Sequence, residues 1–243
     1  MIVSKTYNED YRLRIGQFPD KKFDIAVCDI PYGKDVANMP FTKEMNTTVK
    51  QKNGTRLNGN KNKIPYESKD WDKEVPDQSY FDEVRRISKH QIIFGVEYVN
   101  WEGLGSGRIK WDKGVAEGMS FSRYEVAYCS FIDHEIIVPI LWAGMCQAKS
   151  LKEPMTQQGN KKLNERRIHP TQKPVILYDW IYREFGKTGM WVVDTHLGSG
   201  SNRISAYKAG INFVAFEIDK SYFDKEEKRF NIFQSQLTLQ YAD

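Results

Sequence analysis

Two short segments of this 243-residue chain carry residue types that can do chemistry. Asp29-Ile30-Pro31-Tyr32 follows an apolar run from Phe23 to Cys28, and Asp194-Thr195-His196-Leu197-Gly198-Ser199-Gly200-Ser201 follows another from Met190 to Val193. An exocyclic amino group on a nucleobase is a poor nucleophile, because its lone pair is delocalised into the ring. A carboxylate and a backbone carbonyl that accept its two hydrogens localise that lone pair and aim it at a methyl donor. Asp29 and the carbonyl of Ile30 supply those acceptors. Pro31 stiffens the turn. Tyr32 can stack on a base swung out of a duplex, an interaction worth roughly 1–3 kcal/mol. Taken alone, a strand end followed by a Pro-Tyr turn is also an ordinary structural feature.

The second segment has the makings of a cofactor loop. Gly198 and Gly200 permit tight turning and close backbone approach after a strand that ends at Asp194. Glu217 ends the next apolar run, Asn212 to Phe216, at about the spacing where an acidic residue accepts hydrogen bonds from ribose hydroxyls. A dinucleotide site wants a third glycine near position 203, where the chain has Arg203, and no Gly-Lys-Ser/Thr triphosphate loop is present. These features favour a small cofactor without pyrophosphate, such as S-adenosylmethionine. Gly103-Leu104-Gly105-Ser106-Gly107 precedes a strand rather than a helix and reads as a flexible turn.

Helices and strands alternate along the chain. Strands are expected at Phe23 to Cys28, Gln91 to Val96, Arg108 to Trp111, Tyr124 to Phe131, Glu135 to Trp142, Met190 to Val193 and Asn212 to Phe216. Helices are expected from Asp77 to Lys89, with Tyr80, Phe81, Val84 and Ile87 at helical spacing, and at Pro174 to Phe185, Asn202 to Lys208 and Tyr222 to Phe233. This pattern predicts an α/β fold, a doubly wound and mostly parallel sheet of Rossmann-like type with long loop insertions. In such sheets ligands bind beyond the carboxyl ends of the strands, where Asp29, Asp194 and Glu217 all stand. No apolar stretch reaches the roughly 18 residues of a membrane span. The three cysteines are widely spaced, which suits free thiols in a reducing cytoplasm. Cys28 reads as a buried structural thiol, and no cluster has zinc-ligand spacing, so no metal is expected.

The motifs together resemble an amino-group DNA methyltransferase of the beta class, in which the catalytic motif precedes the cofactor motif. His169-Pro170-Thr171-Gln172-Lys173-Pro174 matches a hallmark of that family residue for residue. Asn8-Glu9-Asp10, Phe18-Pro19-Asp20, Ile109-Lys110-Trp111-Asp112-Lys113 and Tyr124-Glu125 are similar to its lead-in and middle motifs. The resemblance implies one methyltransferase domain over 1–243, of Rossmann-like methyltransferase type, with a catalytic half at 1–144 and a cofactor half at 169–243. It implies S-adenosylmethionine as cofactor, held by Asp10, His169, Thr171, Lys173, Asp194, His196, Gly198, Ser199, Gly200 and Glu217. It assigns catalysis to Asp29, Ile30, Pro31 and Tyr32. The leading aspartate points to adenine. Cytosine amino methylation, or a catalytically weak DNA-binding relative, are the alternatives; RNA or a protein glutamine is a further substrate class, and Asp29, where glutamine-modifying enzymes usually carry asparagine, counts against the glutamine. Ile30 stands where the family usually has proline, and His196 where it usually has phenylalanine.

The formal net charge is +4, but its distribution is uneven. Residues 33–70 carry eight basic and four acidic side chains, and residues 145–173 seven and two. The segment at 33–70 reads as a mobile basic loop, and 145–168 as a basic loop that could recognise a target sequence. Concentrated positive charge suits double-stranded DNA. Lys34, Arg166 and Arg167 are the candidate phosphate contacts. A homodimer and a cognate restriction enzyme are possible partners, in a cytoplasm of bacterial, phage or mobile-element context.

Overall fold

The computed structural model describes residues 2–34, 49–50, 56–57, 72–116 and 122–240. Most of the expected basic loop at 33–70 lies outside the described residues. Eight strands form one sheet: β1 (Ser4–Tyr7), β2 (Phe23–Asp29), β3 (Ser88–Phe94), β4 (Arg108–Asp112), β5 (Tyr124–Cys129), β6 (Glu135–Pro139), β7 (Trp191–Asp194) and β8 (Asn212–Phe216). Their spatial order is β1-β8-β7-β2-β3-β5-β4-β6. All neighbouring pairs are parallel except the two made by β5, which alone runs against the rest.

The centre of the sheet explains why its strands are nearly continuous apolar runs. In β2 every residue from Ile25 to Cys28 is buried, as required of a parallel strand covered on both faces. Ile25 and Val27 face one core with Ile92, Phe94, Leu177 and Ile181. Ala26 and Cys28 face the other with Ile93, Phe81, Val84 and Ile87. Helix α1 (Gln78–Ile87) covers that second face. Asp77 caps it by accepting hydrogen bonds from the amides of Ser79 and Tyr80. Helices α2 (Val175–Phe185) and α3 (Ser201–Lys208) serve the first face, and α4 (Lys220–Gln240) packs on α3 through Tyr207 and Phe230, 5.5 Å apart. The doubly wound expectation therefore holds.

Several boundaries differ from those read in the sequence. The helix starting after Asp77 stops at Ile87, and β3 begins at once with Ser88, three residues earlier than expected. β5 ends at Cys129 rather than Phe131. The run from Glu135 breaks after Pro139, and Trp142–Ala143 then pairs with Cys146–Gln147 in a separate ladder. The last helix starts before Tyr222 and runs on past Phe233. The edge strand β1 was not anticipated. Cys28 and Cys129 are buried and Cys146 partly so, all as free thiols. Among the described residues no helix is long and apolar enough to cross a membrane.

Candidate active site

Strands β2 and β7 lie side by side, with Ala26 opposite Val193. Their carboxyl ends open into one cleft of about 980 Å³. Asp29, Ile30, Pro31 and Tyr32 line it together with Asp10, His169, Thr171, Lys173, His196, Gly198, Ser199 and Glu217. Segments from opposite ends of the chain thus converge. Asp194 and Gly200 stand behind the lining, and Lys34, Arg166 and Arg167 outside it.

Three restraints hold the turn Asp29–Tyr32. Asp72, 1 % exposed, accepts hydrogen bonds from the amides of Tyr32 at 2.7 Å and Gly33 at 3.1 Å. Gly95, just past β3, has φ +91°, and a Cβ there would lie 2.5 Å from Tyr32 Cε1 and 2.9 Å from Ile30 Cγ1. Only glycine lets the turn rest against β3 so closely. Lys173 supplies the third restraint. Its side chain is 2 % exposed, and Nζ lies 2.5 Å from Asp29 Oδ1 and 3.0 Å from Glu125 Oε2. Nζ also donates to the Tyr32 hydroxyl at 2.7 Å, which in turn lies 2.9 Å from Asp29 Oδ1. The Tyr32 ring packs at a tilt against Tyr98, centroids 4.8 Å apart, and Lys34 lies over Tyr98, 3.9 Å from its ring centroid. The sequence assigns Lys173 to the cofactor; its ammonium is engaged with Asp29 and Tyr32.

The glycine loop is shaped from behind. Asp194, 2 % exposed, accepts from the His196 amide at 3.0 Å and from Asn202 Nδ2 at 2.8 Å. Burial raises its pKa to about 7. Gly198 and Gly200 both have positive φ, +54° and +70°. Behind Gly200 lies the Glu226 carboxylate, held by Arg203, the residue where a dinucleotide loop wants glycine. Arg229 ties the loop to the segment before α2. It donates to the Ser199 carbonyl at 2.7 Å and to Glu165 at 2.9 Å.

Glu217, at the end of β8, accepts from the Gly198 amide at 2.9 Å with one oxygen and from the Asp219 amide at 2.8 Å with the other. Burial raises its pKa to about 7 against those two bonds. Asp10 is engaged by Arg12 through both the amide and the guanidinium. Two histidines sit here as neutral rings. Burial pushes His196 down to about 4 and His169 to about 3. His196 packs 5.1 Å from Tyr11 and 5.7 Å from Tyr80, so it fills an aromatic niche without carrying charge. His169 packs 4.3 Å from Tyr222, and the Thr171 hydroxyl lies 3.1 Å from its Nδ1.

Arg166 and Arg167 are exposed, Arg167 over Trp142 at 4.3 Å. His90 stacks on Phe131 and His134 pairs with Asp133, both away from the cleft. Asp72, Gly95, Arg229 and the role of Glu125 were missed in the sequence. A glycine directly after the apolar run ending at Phe94 was the one available signal.

A sequence profile of the DNA methylase family matches residues 32–228. The Type II methyltransferase M2.DpnII of Streptococcus pneumoniae is 32% identical over 82 residues, 33% of this chain and 31% of that protein. M2.LlaDCHI of Lactococcus lactis subsp. cremoris is 30% identical over 84 residues, 34% of this chain and 31% of that protein. The match spans about a third of the length of these curated relatives. The crystal structure of the M1.HpyAVI–SAM complex superposes with a TM-score of 0.51 at 16% identity, over 94% of this chain and 100% of that one. PvuII DNA methyltransferase (cytosine-N4-specific) does so with a TM-score of 0.51 at 11% identity, over 96% and 93%. At these identities the structural likeness is one of fold.

Proposed function

The chain belongs to the DNA methylase family, and from that premise we propose that it transfers the methyl group of S-adenosylmethionine to the exocyclic amino nitrogen of adenine in double-stranded DNA. The observation that carries this reading is the meeting of the Asp29 turn, the Gly198 loop and Glu217 in a single cleft. Its volume falls at the top of the roughly 300–1,000 Å³ range of small-molecule sites, which leaves space for a donor beside an extruded base.

The residues present fit that cofactor. Glu217 offers carboxylate oxygens to ribose hydroxyls, and the neutral rings of His196 and Tyr11 offer apolar walls to an adenine. Gly198, Ser199 and Thr171 also line the cleft. When bound, S-adenosylmethionine supplies an electrophilic methyl group on a sulfonium.

The protein's own part is orientation. Asp29 and the Ile30 carbonyl accept the two amino hydrogens of the base and turn its lone pair toward the methyl carbon. Tyr32, its hydroxyl tied to Lys173, offers a fixed ring face for stacking. The amino nitrogen bonds to the methyl carbon as the carbon–sulfur bond breaks, then loses its extra proton to water. Ile30 leaves the needed carbonyl in place, and Asp72 with Gly95 restrains the turn that a second proline would stiffen. These features weigh against the catalytically weak alternative. Lys34, Arg166 and Arg167 are proposed to contact phosphates.

A second reading is methylation of the cytosine amino group, favoured by the shared fold with a cytosine-N4-specific enzyme. Incubating the chain with DNA and methyl-labelled S-adenosylmethionine, followed by nucleoside analysis, separates the two. N6-methyladenine supports the proposal, and N4-methylcytosine replaces it with the second reading. No label in any DNA defeats both. Asp29→Ala is expected to abolish labelling while cofactor binding, followed by calorimetry, persists.

A further inference from the structure

Two carboxylates and two lysines meet at the catalytic turn. Asp29 and Glu125 come from β2 and β5, with β3 running between them. Lys173, from the segment before α2, touches both. Lys113, just past β4, lies 2.9 Å from the second oxygen of Glu125. Glu125 therefore faces two cations, whereas Asp29 shares one.

Building on the methyl-transfer reading, we propose that Glu125 is a positioning residue of the reaction: by sharing Lys173 with Asp29 it leaves the Asp29 carboxylate free to accept the amino hydrogen firmly. The geometry separates the two carboxylates into different roles. Burial raises the pKa of Asp29, Lys173 opposes it, and the Glu125 anion pushes it further up. Burial also pushes Glu125 upward, but Lys173 and Lys113 outweigh it and hold the carboxyl at about 2. In such a pair the group kept more basic is the better hydrogen-bond acceptor, and the other serves as a fixed anion. The other groups that act on Asp29 and Glu125 do not undo this division. Tyr32 on the same turn, Tyr178 on α2, Asp194 at the end of β7 and Glu97 after β3 are none of them cationic.

The test is a pair of variants with opposite expected effects. Glu125→Gln removes an anion and leaves Lys173 wholly to Asp29, so the Asp29 titration moves down. Lys173→Met removes the cation, so the Asp29 titration moves up. Both are read in the cofactor-free protein by carbon NMR of labelled aspartate, with Asp29→Asn identifying the signal. Shifts of roughly one pH unit are expected. In turnover, the acid limb of the kcat–pH profile of Glu125→Gln moves to lower pH. Its plateau falls roughly tenfold, with the KM for DNA changed by less than about twofold.

Opposite displacements support the inference. Displacements in one direction, or an unmoved Asp29 signal in Glu125→Gln, overturn it even where kcat falls, because a purely structural role predicts that outcome. Should thermal melting show Glu125→Gln unfolded, Lys113→Met takes its place. Glu125 then leans harder on Lys173, and the Asp29 titration must rise; a failure to rise overturns the inference. The NMR readout needs no turnover. A wild-type protein inactive on every DNA would therefore count against the methyl-transfer reading alone.

Discussion

Glu217 shows how one buried side chain can make binding respond to pH. With its pKa raised to about 7 by burial, it carries a proton in a large share of cofactor-free molecules at neutral pH. Ribose hydroxyls donate to the ionised form, so binding should favour loss of that proton. The sign follows: affinity for S-adenosylmethionine is expected to rise as pH climbs from about 6 to 8. Each binding event should release part of a proton, visible in calorimetry as an enthalpy that changes with the buffer's ionisation heat. Glu217→Gln should flatten both dependences; a wild-type affinity level across that window would remove Glu217 from the cofactor's contacts. At this scale the carboxylates at strand ends were legible in the sequence, because an acidic residue after an apolar run stands at a sheet's carboxyl edge. The partners of Lys173 were not. An ammonium on a flexible stem takes whichever anions the fold brings near, and Glu125 lies on a strand that is not adjacent to β2. The neutrality of His196 was equally hidden, since burial outweighs the pull of Asp10 only once the fold has closed around the ring.

The clamp on the Asp29–Tyr32 turn belongs to the elements. β3 ends at Phe94, and Gly95 makes a left-handed step that gives Tyr32 and Ile30 room. Gly95→Ala places a Cβ inside van der Waals contact of the Tyr32 ring. The turn must move, by an amount that costs roughly 100-fold in kcat, while cofactor affinity stays near wild type. Rapid-quench turnover beside calorimetry checks this, and an unaltered kcat would show that the ring position is unimportant. Most elements were readable from periodicity, and Asn212–Phe216 matches to the residue. β1 was not, because its four residues are mostly half-buried and show no alternation. The reversed direction of β5 was not either. Strand polarity depends on the route of the connecting chain, which apolar spacing does not encode. Pro139 sits on the edge strand β6, where a residue without an amide donor costs no ladder bond, and Ile140 still donates to the Asp112 carbonyl at 2.9 Å.

Charge is a property of the molecule as a whole. The net +4 comes from two polar stretches whose excess of lysine and arginine outweighs an acidic remainder. Arg166 and Arg167 are exposed beside the hexapeptide that feeds the cleft. If both reach phosphates, DNA affinity should fall steeply with salt, and replacing both by alanine should reduce the slope of log K against log salt by about 2. Fluorescence anisotropy over 50–200 mM salt measures it, and an unchanged slope places the DNA elsewhere. The fold class could be anticipated from strand–helix alternation. The cleft's size and the Asp72 clamp could not, because both depend on how distant segments close on one another.

The pairing of β2 with β7 also has a consequence for biosynthesis. Cys28 and Val193 touch across 165 positions of chain. Ribosomes add about 5–20 residues per second, so β2 emerges many seconds before its neighbour and spends that interval with a bare edge. A nascent polypeptide that stops short of β7 has the residues of the Asp29 turn but neither the Gly198 loop nor Glu217, which complete the cleft. Under the methyl-transfer proposal, products truncated before Glu217 are expected to be chemically silent.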